Sequence, residues 1–351
     1  MSRAPRVERV PAWLDAAPGP LLAWLHDAPG AAPRDCVAVI CAPAGHEYTR
    51  AHRTLRHLAD RLAAAGVPAL RFDYHGIGDS AGGDLEPGRI AAWKDGIRAA
   101  IGHARRWSGR DEVCLVGVRL GATLAALVAE EEEVGRLVLW NPCVVGRTYV
   151  RELQAIAMSA EHAAADPDGA LESAGFTMSA ETVAAVRALD LRRLAPRATR
   201  AALVAGRDDA APDDSLARHL ASLGVDCEYE RLPGWAGMMA DHQFTEVPDA
   251  ALERIVQWVA RSGEGKTRDG PGFAPAARVD CDPEHRLGPG SSHADIEGVE
   301  EHLCRFGADG HLFGIVSRPR GARADAPAMI LLNAGSIHHV GPNRLYVLLA
   351  R

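Results

Sequence analysis

One stretch constrains this chain more than any other: Val113-Cys-Leu-Val-Gly-Val-Arg-Leu-Gly-Ala122, running on into Thr-Leu-Ala-Ala-Leu-Val-Ala129. The apolar run before Gly117 reads as a strand buried on both faces, and the alanine-rich run after Gly121 reads as a helix. Between them lies a single tight turn centred on Arg119. Side chains two positions either side of such a turn collide with neighbouring backbone, so Gly117 and Gly121 stand where glycine is needed. The turn also aims N–H groups at the space above it, Leu120 first, and the start of the helix favours negative charge there. A serine at the centre becomes a nucleophile once a histidine takes its proton. An arginine stays protonated, only donates hydrogen bonds and attacks nothing.

The rest of the chain supplies a sheet for this turn. Residues 36–41, Cys-Val-Ala-Val-Ile-Cys, are a continuous apolar run. A helix follows over 50–65, with Leu55, Leu58, Ala59 and Leu62 on one face and Gly66 as its stop. Further strands are expected over 67–74, 137–141, 201–205 and 227–232, and further helices over 90–106 and 250–260. Strands alternating with helices in this way argue for a parallel sheet with crossover helices.

Five regions follow from composition and pattern. Residues 1–34 read as a lead-in, and 35–261 as the main domain. Within it, about 146–198 are rich in Ala, Glu and Arg and read as a helical cap. Residues 262–297 read as a linker dominated by Gly, Pro, Asp and Ser. Residues 298–351 read as the start of a second copy, because Ile330-Leu-Leu-Asn-Ala-Gly-Ser-Ile-His-His repeats the plan of Val39-Ile-Cys-Ala-Pro-Ala-Gly-His-Glu-Tyr. That copy is expected to be incomplete. Strands with no partner sheet cannot bury their faces. The tail is therefore expected to dock on the first domain, to pair with another chain or to belong to a longer product.

Hydrophobic residues make up 47% of the chain, enough for a sizeable core. The net charge of −7 leaves no basic face for nucleic acid. No apolar run reaches membrane-spanning length, and no apolar signal core follows the N-terminus, so the cytoplasm is the expected location. Seven scattered cysteines suit reduced thiols. No spacing suggests a metal site, and no cofactor is implied.

The elbow, the loop Arg71-Phe-Asp-Tyr-His-Gly-Ile-Gly-Asp-Ser-Ala-Gly82 and the turn Gly206-Arg-Asp-Asp209 resemble the α/β-hydrolase superfamily, in its serine-aminopeptidase-like branch. A closer likeness is to bacterial tandem hydrolases found with exosortase and exopolysaccharide systems. It is carried by Gly117–Leu124, Leu139–Leu153, Gly237-Met-Met239 and Asn333–Arg344. The resemblance implies an α/β-hydrolase fold: a mostly parallel sheet with helices on both faces, a helical cap and an incomplete second copy. It implies an acyl (ester, thioester or peptide-like) hydrolase system. It puts the catalytic acid at Asp208 or Asp209 and the histidine at His242, later than the usual Gly-x-x-His spacing. It puts the oxyanion donors at the N–H of Leu120 and one from Ala44 to His46, a stretch that includes Gly45. The departure is Arg119, which leaves catalysis in this domain impaired. The expected partners are a small acyl or anionic ligand and a second hydrolase-like domain or another copy of the chain.

Several roles stay open. Arg119 pairs internally with Asp208 or Asp209, binds a carboxylate or phosphate, or lines a site whose nucleophile lies elsewhere. His242 is a general base or a loop histidine beside Asp241. Asp208 and Asp209 partner Arg119 or cap the helix after Pro212. His46 and Glu47 contact a ligand or are solvated loop residues. Cys143 is a buried thiol or a thiolate near Arg147, and Ser80 is a structural turn residue.

Overall fold

The computed structural model describes residues 5–159, 169–261, 293–307, 312–323, 326–333, 338 and 340–351. The first half of the chain forms β1 (Glu8–Leu14), β2 (Leu21–Asp27), β3 (Cys36–Cys41), α1 (His46–Ala64), β4 (Ala69–Phe72), α2 (Arg89–Ser108), β5 (Glu112–Val118), α3 (Leu120–Val128) and β6 (Arg136–Trp140). Then come α4 (Gly146–Met158), β7 (Leu171–Ser173), β8 (Phe176–Met178), α5 (Ala180–Ala188), β9 (Ala201–Arg207), α6 (Ser215–Ser222), β10 (Asp226–Leu232), α7 (Trp235–Met238) and α8 (Asp249–Val259). The C-terminal part adds β11 (His293–Ile296), β12 (Val299–Phe306), β13 (Leu312–Pro319) and α9 (Leu345–Ala350).

Eight strands make one sheet in the order β1-β2-β4-β3-β5-β6-β9-β10. From β4 to β10 every neighbouring pair is parallel, while β2 runs antiparallel to both β1 and β4. Every residue of β3 is buried. That explains its continuous apolar run: helices cover both faces, so neither face alternates with polar residues. This is the expected α/β-hydrolase architecture, a mostly parallel sheet flanked by helices.

The edge of the sheet differs from expectation. Residues 1–34 do not merely lead in; β1 and β2 are its first two strands. β1 carries Pro11, which is tolerated because β1 lies at the sheet edge, where a missing N–H costs no ladder bond. Residues 146–198 contain α4, α5 and a 3₁₀ turn at Leu191–Arg193, but also the antiparallel β7–β8 hairpin that an all-helical cap lacks. Ser179 begins α5 by accepting a hydrogen bond from the Thr182 N–H at 3.2 Å.

At the C-terminal end, β11, β12 and β13 form an antiparallel sheet of their own. β11 falls at the end of the stretch read as a linker, and residues 262–292 lie outside the described residues. The meander packs on the first two strands: Phe313 meets Trp24 edge-to-face at 4.7 Å, and Ile296 and Ala294 pack with Ala81 and Trp13. The strand expected at 330–333 does not form, and Ile330 and Leu332 are exposed. Sheet hydrogen bonds need a neighbour, and no described strand lies beside this run. No helix among the described residues is long and apolar enough to cross a membrane.

Candidate functional site at the strand-to-helix elbow

β5 delivers the chain into the elbow, and α3 takes it away. Arg119 sits at φ 53°, ψ −123°, a conformation seldom adopted by a side-chain-bearing residue. Its N–H donates to the Trp140 carbonyl at 3.0 Å, which ties the turn to β6. The flanking glycines are required by contact distance. A Cβ on Gly117 would lie 2.3 Å from the Ala122 Cα, and one on Gly121 would lie 2.2 Å from the Ala42 carbonyl oxygen.

The side chain displayed at the elbow is already paired. Arg119 Nε donates to Glu47 Oε1 at 2.7 Å, and a terminal nitrogen donates to Glu152. Its guanidinium carbon lies 5.1 Å from the Tyr149 ring centre, and the Tyr149 hydroxyl donates to Glu47 Oε2 at 3.1 Å. The Arg119 and Glu47 side chains are 9% and 11% exposed, so this is a buried pair rather than a surface one. Burial opposes the charge on Arg119, but the charges of Glu47 and Glu152 outweigh it and hold the guanidinium protonated. Burial, reinforced by Glu47, also pushes the Tyr149 hydroxyl up, so it stays a donor. Glu47 lies in the first turn of α1, where its charge also suits the helix dipole.

The pairing corrects the expectation that Arg119 meets Asp208 or Asp209. Asp208 accepts from the N–H groups of Gly234 at 2.8 Å and Trp235 at 3.4 Å, and so caps α7. Asp209 makes a two-pronged pair with Arg207, both bonds at 2.7 Å. The helix after Pro212 is served by Asp213, which accepts from the Ser215 N–H. His242 is exposed, and its carbonyl accepts from the Thr245 hydroxyl at 3.3 Å. Among the described residues no hydrogen bond or ion pair joins His242 to Asp208 or Asp209, or joins either aspartate to Arg119. The buried residue in this neighbourhood is Met238, with Met239 partly buried beside it.

The remaining candidates fall into place around the pair. α1 starts at His46, four residues earlier than the sequence pattern indicated, with Gly45 just before it at φ 63°. His46 and Glu47 are therefore buried helix residues, not solvated loop. Burial lowers the His46 pKa, which keeps the ring neutral near pH 7. Leu120 opens α3 fully buried. Cys143 is a thiol rather than a thiolate: burial pushes it up to about 12, against the pull of Arg119. Ser80 is buried, donates to the Asp73 carbonyl at 2.7 Å and accepts from the Leu22 N–H at 2.9 Å, so it is a structural turn residue. Beside Gly45 a cavity of about 40 Å³ is lined by Tyr48, Trp93, Phe176 and Met178, and Arg119 does not reach it.

Glu152 and Tyr149 were missed by motif reading. Both lie in α4, three residues apart and so on one helix face, and that spacing was the available signal.

Residues 37–205 match the family model described as serine aminopeptidase, S33. That span holds β3 to β9 with the elbow at its middle, in the strand order given above. The chain has the α/β-hydrolase fold. The structure of Est1E from Butyrivibrio proteoclasticus with ferulic acid bound aligns with this chain at a TM-score of 0.54 and 19% identity, over 71% of this chain and 99% of its own. A second structure of Est1E aligns at a TM-score of 0.51 and 19% identity, over 72% and 99%. No curated protein matches in sequence. At the elbow, the chain carries an arginine paired with two carboxylates.

Proposed function

We propose that this chain is the non-catalytic member of an acyl-hydrolase system, one acting on ester, thioester or peptide-like acyl groups. The observation that carries the reading is the Arg119 guanidinium at the nucleophile position, closed by Glu47 and Glu152. Two others support it. The acid and base positions, Asp208 or Asp209 and His242, are not joined to each other. The cavity beside Gly45 measures about 40 Å³, against roughly 300–1,000 Å³ for sites that take small molecules. The match of 37–205 to a serine-aminopeptidase model supports the acyl class. The likeness to bacterial tandem hydrolases of exosortase and exopolysaccharide systems supports a companion role, beside a hydrolase-like domain or a further copy that carries its own nucleophile.

Anion capture by Arg119 is the weaker reading, because two carboxylates already pair with its charge. The test is turnover of p-nitrophenyl acetate and butyrate by the purified chain. The expected result is no rate above a heat-killed control, in the native chain and in Arg119→Ser alike. A serine alone lacks a histidine joined to it. Turnover by the native chain that disappears in His242→Ala overturns the proposal.

A further inference from the structure

A cavity of about 270 Å³ lies where β1, β2, β4 and α1 meet the C-terminal strands β12 and β13. Four arginines line it: Arg9, Arg56, Arg71 and Arg305. One carboxylate lines it, Asp73, and that group is engaged elsewhere. The Tyr48 hydroxyl donates to Asp73 Oδ1 at 2.7 Å, and the Asp79 N–H donates to Oδ2 at 3.2 Å. Burial, helped by the charge of Asp79, pushes the Asp73 carboxyl up to about 6.

The arginines are not equally compensated. Arg9 is chelated by Asp60, with both bonds at 2.8 Å. Arg71 uses its Nε on His26 Nε2 at 3.1 Å and lies over the Trp24 ring at 5.4 Å. His26 in turn meets Asp60 through Nδ1 at 2.9 Å. Burial drops the His26 pKa to about 4, so the ring is neutral. A neutral ring donates from Nδ1 and accepts at Nε2, which fits both contacts. His26 therefore orients Arg71 without cancelling its charge. Among the described residues, the terminal nitrogens of Arg71 have no hydrogen-bond partner, and Arg56 Nε is buried without one. Trp24 and Phe313, edge-to-face at 4.7 Å, add an apolar wall.

Two guanidiniums with unpartnered nitrogens beside an aromatic wall match one ligand chemistry. Arginine forks fit carboxylate and phosphate oxygens, and an aromatic edge fits a flat organic body. We propose that this cavity binds a small organic oxyanion, a carboxylate or phosphate monoester carried on a ring. The volume sits just under the roughly 300 Å³ at which small-molecule sites begin, so the ligand is compact. The site is separate from the elbow and does not rest on the reading of Arg119.

The test is isothermal titration of the full chain with phenyl phosphate, benzoate and inorganic phosphate. Phenyl phosphate or benzoate is expected to bind saturably at one site, more tightly than inorganic phosphate. Arg56→Gln is expected to weaken that binding roughly tenfold or more, the loss of one charge-assisted hydrogen bond. Arg218→Gln, an exposed arginine on α6, is expected to leave it unchanged. Phe313→Leu is expected to shrink the preference for phenyl phosphate over inorganic phosphate, and it leaves every arginine in place. Saturable binding by none of the three ligands, or binding unaffected by Arg56→Gln, overturns the site. Inorganic phosphate binding as tightly as phenyl phosphate overturns the organic body of the ligand.

Discussion

Residues 39–62 and 330–351 share one sequence plan and have opposite fates. In the first, Ile40, Leu58 and Leu62 are fully buried. In the second, Ile330 is 80% exposed, Leu332 76% and Leu348 61%. The apolar pattern is the same, so the pattern does not decide burial; the neighbours do. β3 lies between β4 and β5, and α1 packs on α7 and α8. The run at 330–333 has no described strand beside it. What anchors the end of the second region is polar instead. Arg344 donates to the carbonyls of Gly78, Gly82 and Ser80 at 2.7–2.8 Å. Arg351 donates to Glu301 at 2.8 Å and to the Asp79 carbonyl at 2.6 Å. The first region is held by its core; the second buries only Val340 and Val347 among its described apolar residues and is tied down by arginines satisfying the backbone of the 78–82 loop.

The largest effect expected from breaking this contrast is at Arg119, which ties the start of α1 to β5. Arg119→Ala leaves Glu47 as a buried unpaired charge and is expected to cost about 3–5 kcal/mol in denaturant unfolding. Arg119→Ala with Glu47→Gln is expected to recover much of that loss. A single variant as stable as the native chain would show that the pair does not hold the first region. Next comes the core itself. Leu58→Ala is expected to cost about 2–5 kcal/mol, through lost transfer and the cavity left behind.

Acid titration sharpens the contrast within the first region, where His26 on β2 is tied to Asp60 on α1. The His26 pKa is about 4 in the folded chain against 6.5 ordinarily, so the unfolded chain takes up its proton first as pH falls. Its contribution is present above pH 6.5 and is lost on the way down to about pH 4, by up to roughly 3 kcal/mol. Asp73 acts with the opposite sign across part of that range, so the measurement is the difference between His26→Gln and the native chain. The variant is expected to have the flatter acid slope, and equal slopes would refute the assignment. The smallest effect is expected from Leu348→Ala on exposed α9, within about 0.5 kcal/mol. A cost matching that of Leu58→Ala would mean that the second region is packed after all.

Much of the sheet was legible because its signals are local. Runs such as 36–41 and 113–118, and the two glycines around Arg119, mark strands and a turn whatever lies elsewhere. β1 and β2 were not legible, because Pro11 and the Pro18-Gly19-Pro20 turn look like punctuation until a sheet edge accepts them. The elbow was legible as a place, and so was the arginine at its centre. Its partners were not. Glu47 comes from α1 and Glu152 from α4, which converge over β5 only after the sheet has formed, whereas Asp208 and Asp209 turn to α7 and Arg207.

By itself, then, the sequence determined the strand-to-helix turn, the parallel core strands and the permanently charged side chain at position 119, because backbone sterics and side-chain chemistry act over a few residues. Only the tertiary structure decided which charges meet. It neutralised Arg119, left His242 in solvent, and gathered Arg9, Arg56, Arg71 and Arg305 around one cavity. Such contacts join residues tens to hundreds of positions apart, and no local pattern encodes which of many charged side chains will be brought together when the core closes.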